Sequence, residues 1–524
     1  MDILLATLNA KYFHASLGLR CLYANLGDLQ PRAAIREFIT SHRPIDIAEQ
    51  LLAEQPRIIG LGVYIWNVVE TAQVVAIVKA VSPDTVIVLG GPEVSHEWER
   101  QPIVAQADYL LTGAADLAFA RLCRQILAGS PPSSRVPHSD DIALDQLALP
   151  YAHYTQEDIA NRLIYVEASR GCPFKCQFCL SSLDKTAVPF PLDAFLSSMA
   201  DLHDRGVRHF KFVDRTFNLS AKTAVRILEF FLARLDDKLF LHFELVPDRL
   251  PDAIRALITQ FPPGTLQFEI GIQTFNAEVQ ARIDRKQDDA QTETNLRWIR
   301  EATHAHIHAD LIVGLPGEDL ASFAAGFDRL VAFDPHEVQI GILKRLRGTP
   351  IIAHTDAFAL RFNPVPPYNV LATSVLSFAD LQRLTRFARY WDLIANSGRF
   401  ARTKLLLLGD APFARFLRWS DWLHATTRQT HQIAFERLFD LLWRGLTEAL
   451  DVQPDAARAA LAADYQTSGL RGAPTFLFPE AAGATAKARP DRQARQAQHA
   501  RAVSAVGDHA SREKSPATPD SPRG

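Results

Sequence analysis

Two runs of alternating strand-like and helix-like segments, separated by one proline- and serine-rich break, set what this chain can fold into. In the first run, DILLATL (2–8), PRIIGLGVY (56–64), TVIVLGGPE (85–93) and ADYLLTG (107–113) are short apolar stretches suited to buried strands. Between them lie helical patterns such as NVVETAQVVAIVKAV (67–81), apolar at i, i+3, i+4 and i+7. Strands alternating with helices predict a parallel, doubly wound sheet over residues 1–130. The break GSPPSSRVP (129–137) marks a linker, taken as 131–160.

The second run starts near residue 161. Its strand candidates are RLIYVEA, HFKFVD, LFLHFELV, TLQFEIGIQ, HADLIVGLP and EVQIGILK, with helical runs such as TAVRILEFFLARL between them. Six βα units over 161–355 predict a partial (β/α) barrel. The segments 378–397 and 434–450 are aromatic-rich and helical, so 356–480 is expected to be a helical domain. The tail 481–524 has almost no large apolar residues and is expected to be disordered.

Length agrees with several domains, because 524 residues exceed what a single core supports. A formal net charge of -3 gives no pull toward nucleic acid or an anionic membrane. No apolar run is long enough for a membrane span. The N-terminus has Asp2 where a signal peptide wants positive charge, so a cytoplasmic location is expected.

Three of the five cysteines fall within VEASRGCPFKCQFCLSS (166–182), at Cys172, Cys176 and Cys179. Three thiols cannot all pair among themselves, and a reducing compartment disfavours disulfides. A structural zinc site needs four ligands, and Cys21 and Cys123 stand alone as candidate core residues. HAHIH offers His304, His306 and His308 on alternate positions, a further arrangement that could bind metal, although strand-end polar groups are the commoner reading. The third option is an iron–sulfur cluster held by three thiolates, with one iron left open.

C-x3-C-x2-C with Phe178 before the last cysteine, placed after the first strand of a βα barrel, resembles the radical S-adenosylmethionine (SAM) superfamily. The resemblance implies a [4Fe–4S] cluster on Cys172, Cys176 and Cys179, with SAM on the open iron. It implies reductive cleavage of SAM to a 5′-deoxyadenosyl radical, hydrogen abstraction from a small-molecule or unknown substrate, and a reductant such as flavodoxin or ferredoxin. Phe178 then flanks the adenine. Asp214 and Arg215 in FKFVDRTFN stand where the family has a Gly-Gly-Glu-like segment, an approximate match. Glu269 and Gln273 in FEIGIQTFN fit the ribose and carboxylate contacts. Asp310 and Gly314 in DLIVGLPGE fit the adenine segment, and LKRLRGTP (343–350) resembles the close of the last barrel strand.

The first domain resembles the Rossmann-like cobalamin-binding domain that often precedes such a barrel. Gly90, Gly91 and Pro92 in VIVLGGPEVS, with Tyr64 on the neighbouring strand, are the corresponding candidate contacts. Ala114 and Ala115 replace the usual residues of a Gly-Glu-Gly-Glu-like turn. The axial-histidine motif D-x-H-x-x-G is absent, since His14 in YFHASLG lacks the aspartate. The whole arrangement resembles a bacterial subgroup of cobalamin-binding radical SAM proteins with an uncharacterised C-terminal domain. The resemblance implies an enzyme that uses cobalamin and transfers a methyl group, or a radical oxidoreductase or rearrangement enzyme that does not. A non-catalytic cobalamin or redox sensor is the rival of another class. A transfer-RNA methylthiotransferase would want three N-terminal cysteines and a basic module, and this chain has neither.

Overall fold

A computed structural model describes residues 1–139, 143–184, 186–470 and 474–478. The tail expected to be disordered lies outside the described residues.

The first domain is a five-stranded parallel sheet of β1 (Ile3–Asn9), β2 (Ala33–Ile39), β3 (Ile58–Gly62), β4 (Val86–Gly90) and β5 (Tyr109–Leu110). Their order is β2-β1-β3-β4-β5. All seven residues of β1 are buried, as a central parallel strand covered on both faces requires. The helices Leu17–Ala24 and Asp116–Leu127 cover one face, and Pro44–Ala53 and Val68–Val81 the other. Strand β2 lies at the edge and is not among the segments expected from the sequence. Its interior carries Arg36 and Glu37 and is only half-buried, so it lacks the apolar run that marks its neighbours.

The segment read as a linker does not run free. It contains the helix Gln156–Asn161, and Tyr151 and Tyr154 are almost wholly buried in it. Their hydroxyls donate to the carbonyls of Glu167 (2.9 Å) and Tyr165 (2.7 Å), bracing the first barrel strand.

That strand is β6 (Ile164–Val166). A short hairpin of β7 (Ser169–Arg170) and β8 (Val188–Pro189) brackets the cysteine loop. The barrel continues with β9 (His209–Phe212), β10 (Phe240–Leu245), β11 (Leu266–Gln273), β12 (His306–Val313) and β13 (Glu337–Ile342). The six long strands are all parallel, in the order β6-β9-β10-β11-β12-β13. No pairing joins β13 back to β6 among the described residues, so the barrel is partial, a (β/α)6 arrangement.

Along β11 and β12 buried and half-buried residues alternate strictly. The apolar set packs under the helices, and the polar set (Gln267, Glu269, Gln273; His306, His308, Asp310) faces the barrel interior. The first domain touches both edges of the open barrel. Leu163, beside β6, donates its N–H to the Phe13 carbonyl at 2.7 Å. Past β13, Arg345 pairs with Glu97 (2.8 Å) and Arg347 with Glu93 (2.8 Å).

A small hairpin, β14 (Arg361–Phe362) and β15 (Val370–Ala372), leads into five helices from Phe378–Ile394 to Pro454–Thr467. Phe387, Trp391 and Phe413 pack around Phe327 of the last barrel helix at ring separations of 4.8 to 5.7 Å, and Phe416 packs on Phe387 and Trp391 at 5.1 Å. The aromatic stripes are thus core, shared with the barrel.

Candidate functional site

The three clustered thiols share one cavity of about 240 Å³ at the carboxyl ends of the barrel strands. Its wall also carries Phe178, Arg215, Glu269, Gln273 and Asp310, so the structure brings together most of the residues singled out from the sequence. Position follows from topology, because the set comes from the carboxyl-terminal parts of β11 and β12 and from the loops after β6 and β9, which converge at one mouth of the barrel.

The thiol loop is pinned at several points. Gly171 has φ +91, and a Cβ there would lie 1.8 Å from the Thr186 carbonyl oxygen, so only glycine fits. Cys172 N–H donates to Asp184 O (3.3 Å) and Cys179 N–H to Cys176 O (3.0 Å). Gln177 donates its N–H to Ile283 O and accepts from Ile351 N–H, both at 2.9 Å. Burial pushes the Cys172 and Cys176 thiols up. Arg285 pulls Cys176 the other way, its guanidinium 3.6 Å from Sγ.

Among the described residues no three His, Cys, Asp or Glu side chains converge on a single-ion site. A cluster, in contrast, takes one thiolate per iron and wants its thiols spread around a body. The histidines of HAHIH are otherwise engaged. His306 and His308 each meet the Glu337 carboxylate at 3.1 Å, and His304 is exposed.

Part of the charged lining is paired. Arg215 donates to Glu244 (2.9 Å), a carboxyl that burial raises to about 7. Glu269 accepts from His242 (3.0 Å), which with nearby Lys211 lowers it to about 2. His308, held between Asp310 and Glu337, is raised to about 10 despite burial. Gln273 has φ +71, next to a register shift between Gly271 and Gln273. A non-glycine residue in that region marks a strained strand end at the cavity wall.

Two expected contacts lie elsewhere. Asp214 is buried away from the cavity, where its carboxylate accepts from Ala168 N–H (2.9 Å) and Ser169 Oγ (2.6 Å). It positions the chain entering the thiol loop, and burial raises it to about 6. Gly314, at φ +88, packs under Val370 as a turn residue. Conversely, Glu244 and Arg285 line the cavity without having been anticipated. Arg285 lies 109 residues beyond Cys176, and no local pattern marks it.

A second cavity, about 370 Å³, opens in the first domain between helices Leu17–Ala24 and Asp116–Leu127 and the ends of β3 and β4. Gly18, Gly60, Gly62, Gly90, Gly91 and Gly113 line it, together with Tyr64. Gly91 has φ +108, and a Cβ there would meet Val63 O at 2.5 Å. A Cβ on Gly60 would meet the Phe119 ring at 2.8 Å. The slot is therefore kept open and flat by missing side chains. Pro92 is outside its lining. His14 does not line it either, and its Nδ1 lies 2.5 Å from the Tyr165 hydroxyl. Glu167 and Arg170 from the barrel complete the wall, and Cys172 of the thiol cavity follows only two residues after Arg170.

Comparison with known proteins agrees with this division. The Radical SAM superfamily matches residues 166–330, the B12 binding domain residues 3–123, and a protein family of unknown function, DUF4080, residues 356–515. The chain is 24% identical over 340 residues to the cobalamin-dependent radical SAM methyltransferase TokK of Streptomyces tokunonensis, covering 55% of this chain and 47% of TokK. It is 25% identical over 327 residues to 2-(S-pantetheinyl)-carbapenam-3-carboxylate methyltransferase of Streptantibioticus cattleyicolor, covering 54% and 46%. Each match spans about half the length of the curated relative. Among solved structures, the fold is similar to the cobalamin-dependent SAM radical enzyme OxsB with aqua-cobalamin bound (TM-score 0.60, 14% identity, covering 96% of this chain and 84% of that one). It is also similar to the radical SAM methyltransferase TsrM of Kitasatospora setae with cobalamin and a [4Fe–4S] cluster bound (TM-score 0.57, 17% identity, 90% and 100%). A thiol cavity at the strand ends of a partial barrel, a glycine-lined slot beside it and three matching domains in series lead to one assignment: the chain carries a B12 binding domain, a radical SAM domain and a DUF4080 match, in that order.

Proposed function

We propose that the protein is a cobalamin-dependent radical SAM methyltransferase acting on a small molecule. The observation that carries this reading is the closeness of the two sites along one short segment: Glu167 and Arg170 stand in the wall of the glycine-lined slot, and Cys172, two residues on, stands in the thiol cavity. When bound, a [4Fe–4S] cluster supplies one-electron cleavage of SAM at its open iron, and cobalamin supplies a cobalt that can carry a methyl group.

The donor sets fit both groups. Three thiols without a fourth, facing a cavity, suit a cluster with one open iron. The bare backbone of six glycines suits a flat, wide ligand. In this reading Cys172, Cys176 and Cys179 hold the cluster. Arg215 is the nearby cation available to a ligand carboxylate, with Glu244 as its resting partner. Glu269 and Gln273 offer acceptors and donors to hydroxyl groups, and Glu269 stays ionised because His242 and Lys211 neutralise it. Asp214 and Gly171 keep the thiol loop in one geometry, and the paired first domain limits water at the open side of the barrel.

The full chain, reconstituted anaerobically with iron and sulfide, tests this. It is expected to show cluster absorbance near one cluster per chain, to bind hydroxocobalamin, and to form methylcobalamin from SAM once the cobalt is reduced. Cys176→Ala should lose the cluster absorbance and keep hydroxocobalamin binding. Unchanged iron content in that variant overturns the ligand set. Cleavage of SAM to 5′-deoxyadenosine with no methylcobalamin at any reductant strength overturns methyl transfer and favours the oxidoreductase or rearrangement reading.

A further inference from the structure

We infer that Arg170 couples the two cavities, so that an ordered thiol loop tightens corrinoid binding and a bound corrinoid favours the loaded thiol loop. The inference rests on the function proposed above and adds a positioning residue that neither cavity explains by itself. Arg170 is two residues before Cys172 in the chain, yet its guanidinium lies in the wall of the slot. There it makes a two-pronged pair with Asp116, at 2.9 and 3.1 Å. Its Nε donates to Glu167 at 2.8 Å, and one terminal nitrogen lies 3.5 Å from the Cys21 sulfur. Asp116 is the first residue of the helix Asp116–Leu127 and follows the slot-lining turn Gly113, Ala114, Ala115.

Three features make this a mechanical link rather than one more surface pair. First, the acidic partner is buried: Asp116 is 5% exposed, so loss of Arg170 leaves its carboxylate poorly solvated. Second, the bidentate geometry fixes direction as well as distance. Third, there is no slack between Arg170 and Cys172. Gly171 is wedged against the Thr186 carbonyl, and Arg170 itself pairs with Val188 in the β7–β8 hairpin. A shift of the thiol loop therefore moves Arg170, and with it Asp116 and the adjoining turn of the slot.

Binding at either site must order this connection, and the second ligand then meets it already ordered. Such coupling is reciprocal: each ligand changes the affinity of the other by the same factor. Carboxylates outnumber the cation here. Glu167 is raised by burial, while Arg170 remains charged because both carboxylates more than offset its own burial. The arrangement thus needs Arg170 in place to keep Asp116 tolerable in the slot wall.

The test is the hydroxocobalamin dissociation constant of the full chain, measured by absorbance titration with the cluster reconstituted and after its removal by oxidation and chelation. Wild type is expected to bind at least ~5-fold more tightly with the cluster, the low end of typical coupling factors. In Asp116→Asn and Arg170→Gln the ratio should fall to within about twofold of unity, and in Arg170→Lys, which keeps charge and loses the fork, it should be intermediate. Because the ratio is taken within each variant, any direct effect of Asp116 on the slot cancels. If one variant fails to fold, the other two and the wild-type ratio still decide. A wild-type ratio of one, or a ratio that survives all three substitutions, overturns the coupling while leaving the proposed function intact. No hydroxocobalamin binding in any form overturns both.

Discussion

Arg285 is placed to set the reduction potential of whatever the three thiols hold. Its guanidinium is 3.6 Å from Cys176 Sγ, and its other partners are neutral: the carbonyls of Gly271 and Ile272 and the side-chain oxygen of Gln287. Among the described residues no carboxylate bonds to it, so its charge acts on the thiol site with little local cancellation. An added electron centred ~6 Å away, at an effective dielectric of ~20, is stabilised by about 3 kcal/mol. For a one-electron couple, with 59 mV per tenfold, that is ~120 mV. The Asp310 carboxyl, raised by burial and close enough to feel Arg285, removes part of it. Arg285→Met should therefore lower the potential of the reconstituted cluster by ~60–120 mV. Arg285→Lys should lower it by less, since the charge remains while the fork that fixes its distance is lost. The assay is a redox titration followed by electron paramagnetic resonance on protein of matched iron content. A shift under ~20 mV, or one toward positive values, would refute the electrostatic reasoning, because nothing else in the contact geometry predicts a sign.

Two further expectations concern the frame around the site. Arg20 is 3% exposed and bridges Glu37 and Asp158, both at 2.8 Å, tying the first domain to the brace before β6. Arg20→Met takes a cation from both carboxylates, while Glu37 keeps Arg162 at 2.9 Å and Asp158 keeps the Thr155 N–H and hydroxyl, so the loss should lie near or below the low end of the ~3–5 kcal/mol for breaking a buried pair. Hydrogen exchange should rise in β2 and in helix Gln156–Asn161, and unchanged exchange there would show that the pair carries no docking energy. For Glu244, burial raises the folded pKa to about 7, above the ordinary carboxyl value, so its ionisation opposes the fold. That contribution is absent below the unfolded value near 4.5 and costs stability increasingly as pH rises toward 7. Glu244→Gln should accordingly gain on wild type between about pH 4.5 and 7 in thermal melts, and a constant difference across that window would contradict the burial argument.

How much of this was readable in the sequence divides along the distance over which each feature is built. The thiol loop was legible because its spacing, its glycine and its neighbouring strand lie within 17 residues, 166–182. The central strands of the first sheet were legible because burial on both faces leaves an unbroken apolar run, and those of the barrel because buried and half-buried residues alternate along them. Edge strand β2 was not, since half-exposure allowed Arg36 and Glu37 to interrupt its apolar pattern. The linker reading erred for a related reason. Proline and serine mark the break at 129–137, but composition says nothing of Tyr151 and Tyr154, whose hydroxyls reach barrel carbonyls.

The same reasoning explains why Asp214 looked like a ligand contact and is a brace. A carboxylate at the end of β9 has two places to go, into the mouth of the barrel or sideways to the first strand. Two N–H···O contacts from Ala168 and the Ser169 hydroxyl hold it sideways. Its neighbour Arg215 takes the mouth instead, facing Glu244 from the next strand. Both residues follow the end of β9, where the chain turns, and the sequence does not say which side has unpaired N–H groups waiting. Arg170 and Asp116 show the same limit across domains. Each looks like an ordinary charged residue beside a glycine turn, and only the docking of one sheet against the edge of another makes them partners. The thiol motif was therefore local and visible, while the residues packed around it are set by tertiary contacts 45 to 109 residues apart in the chain.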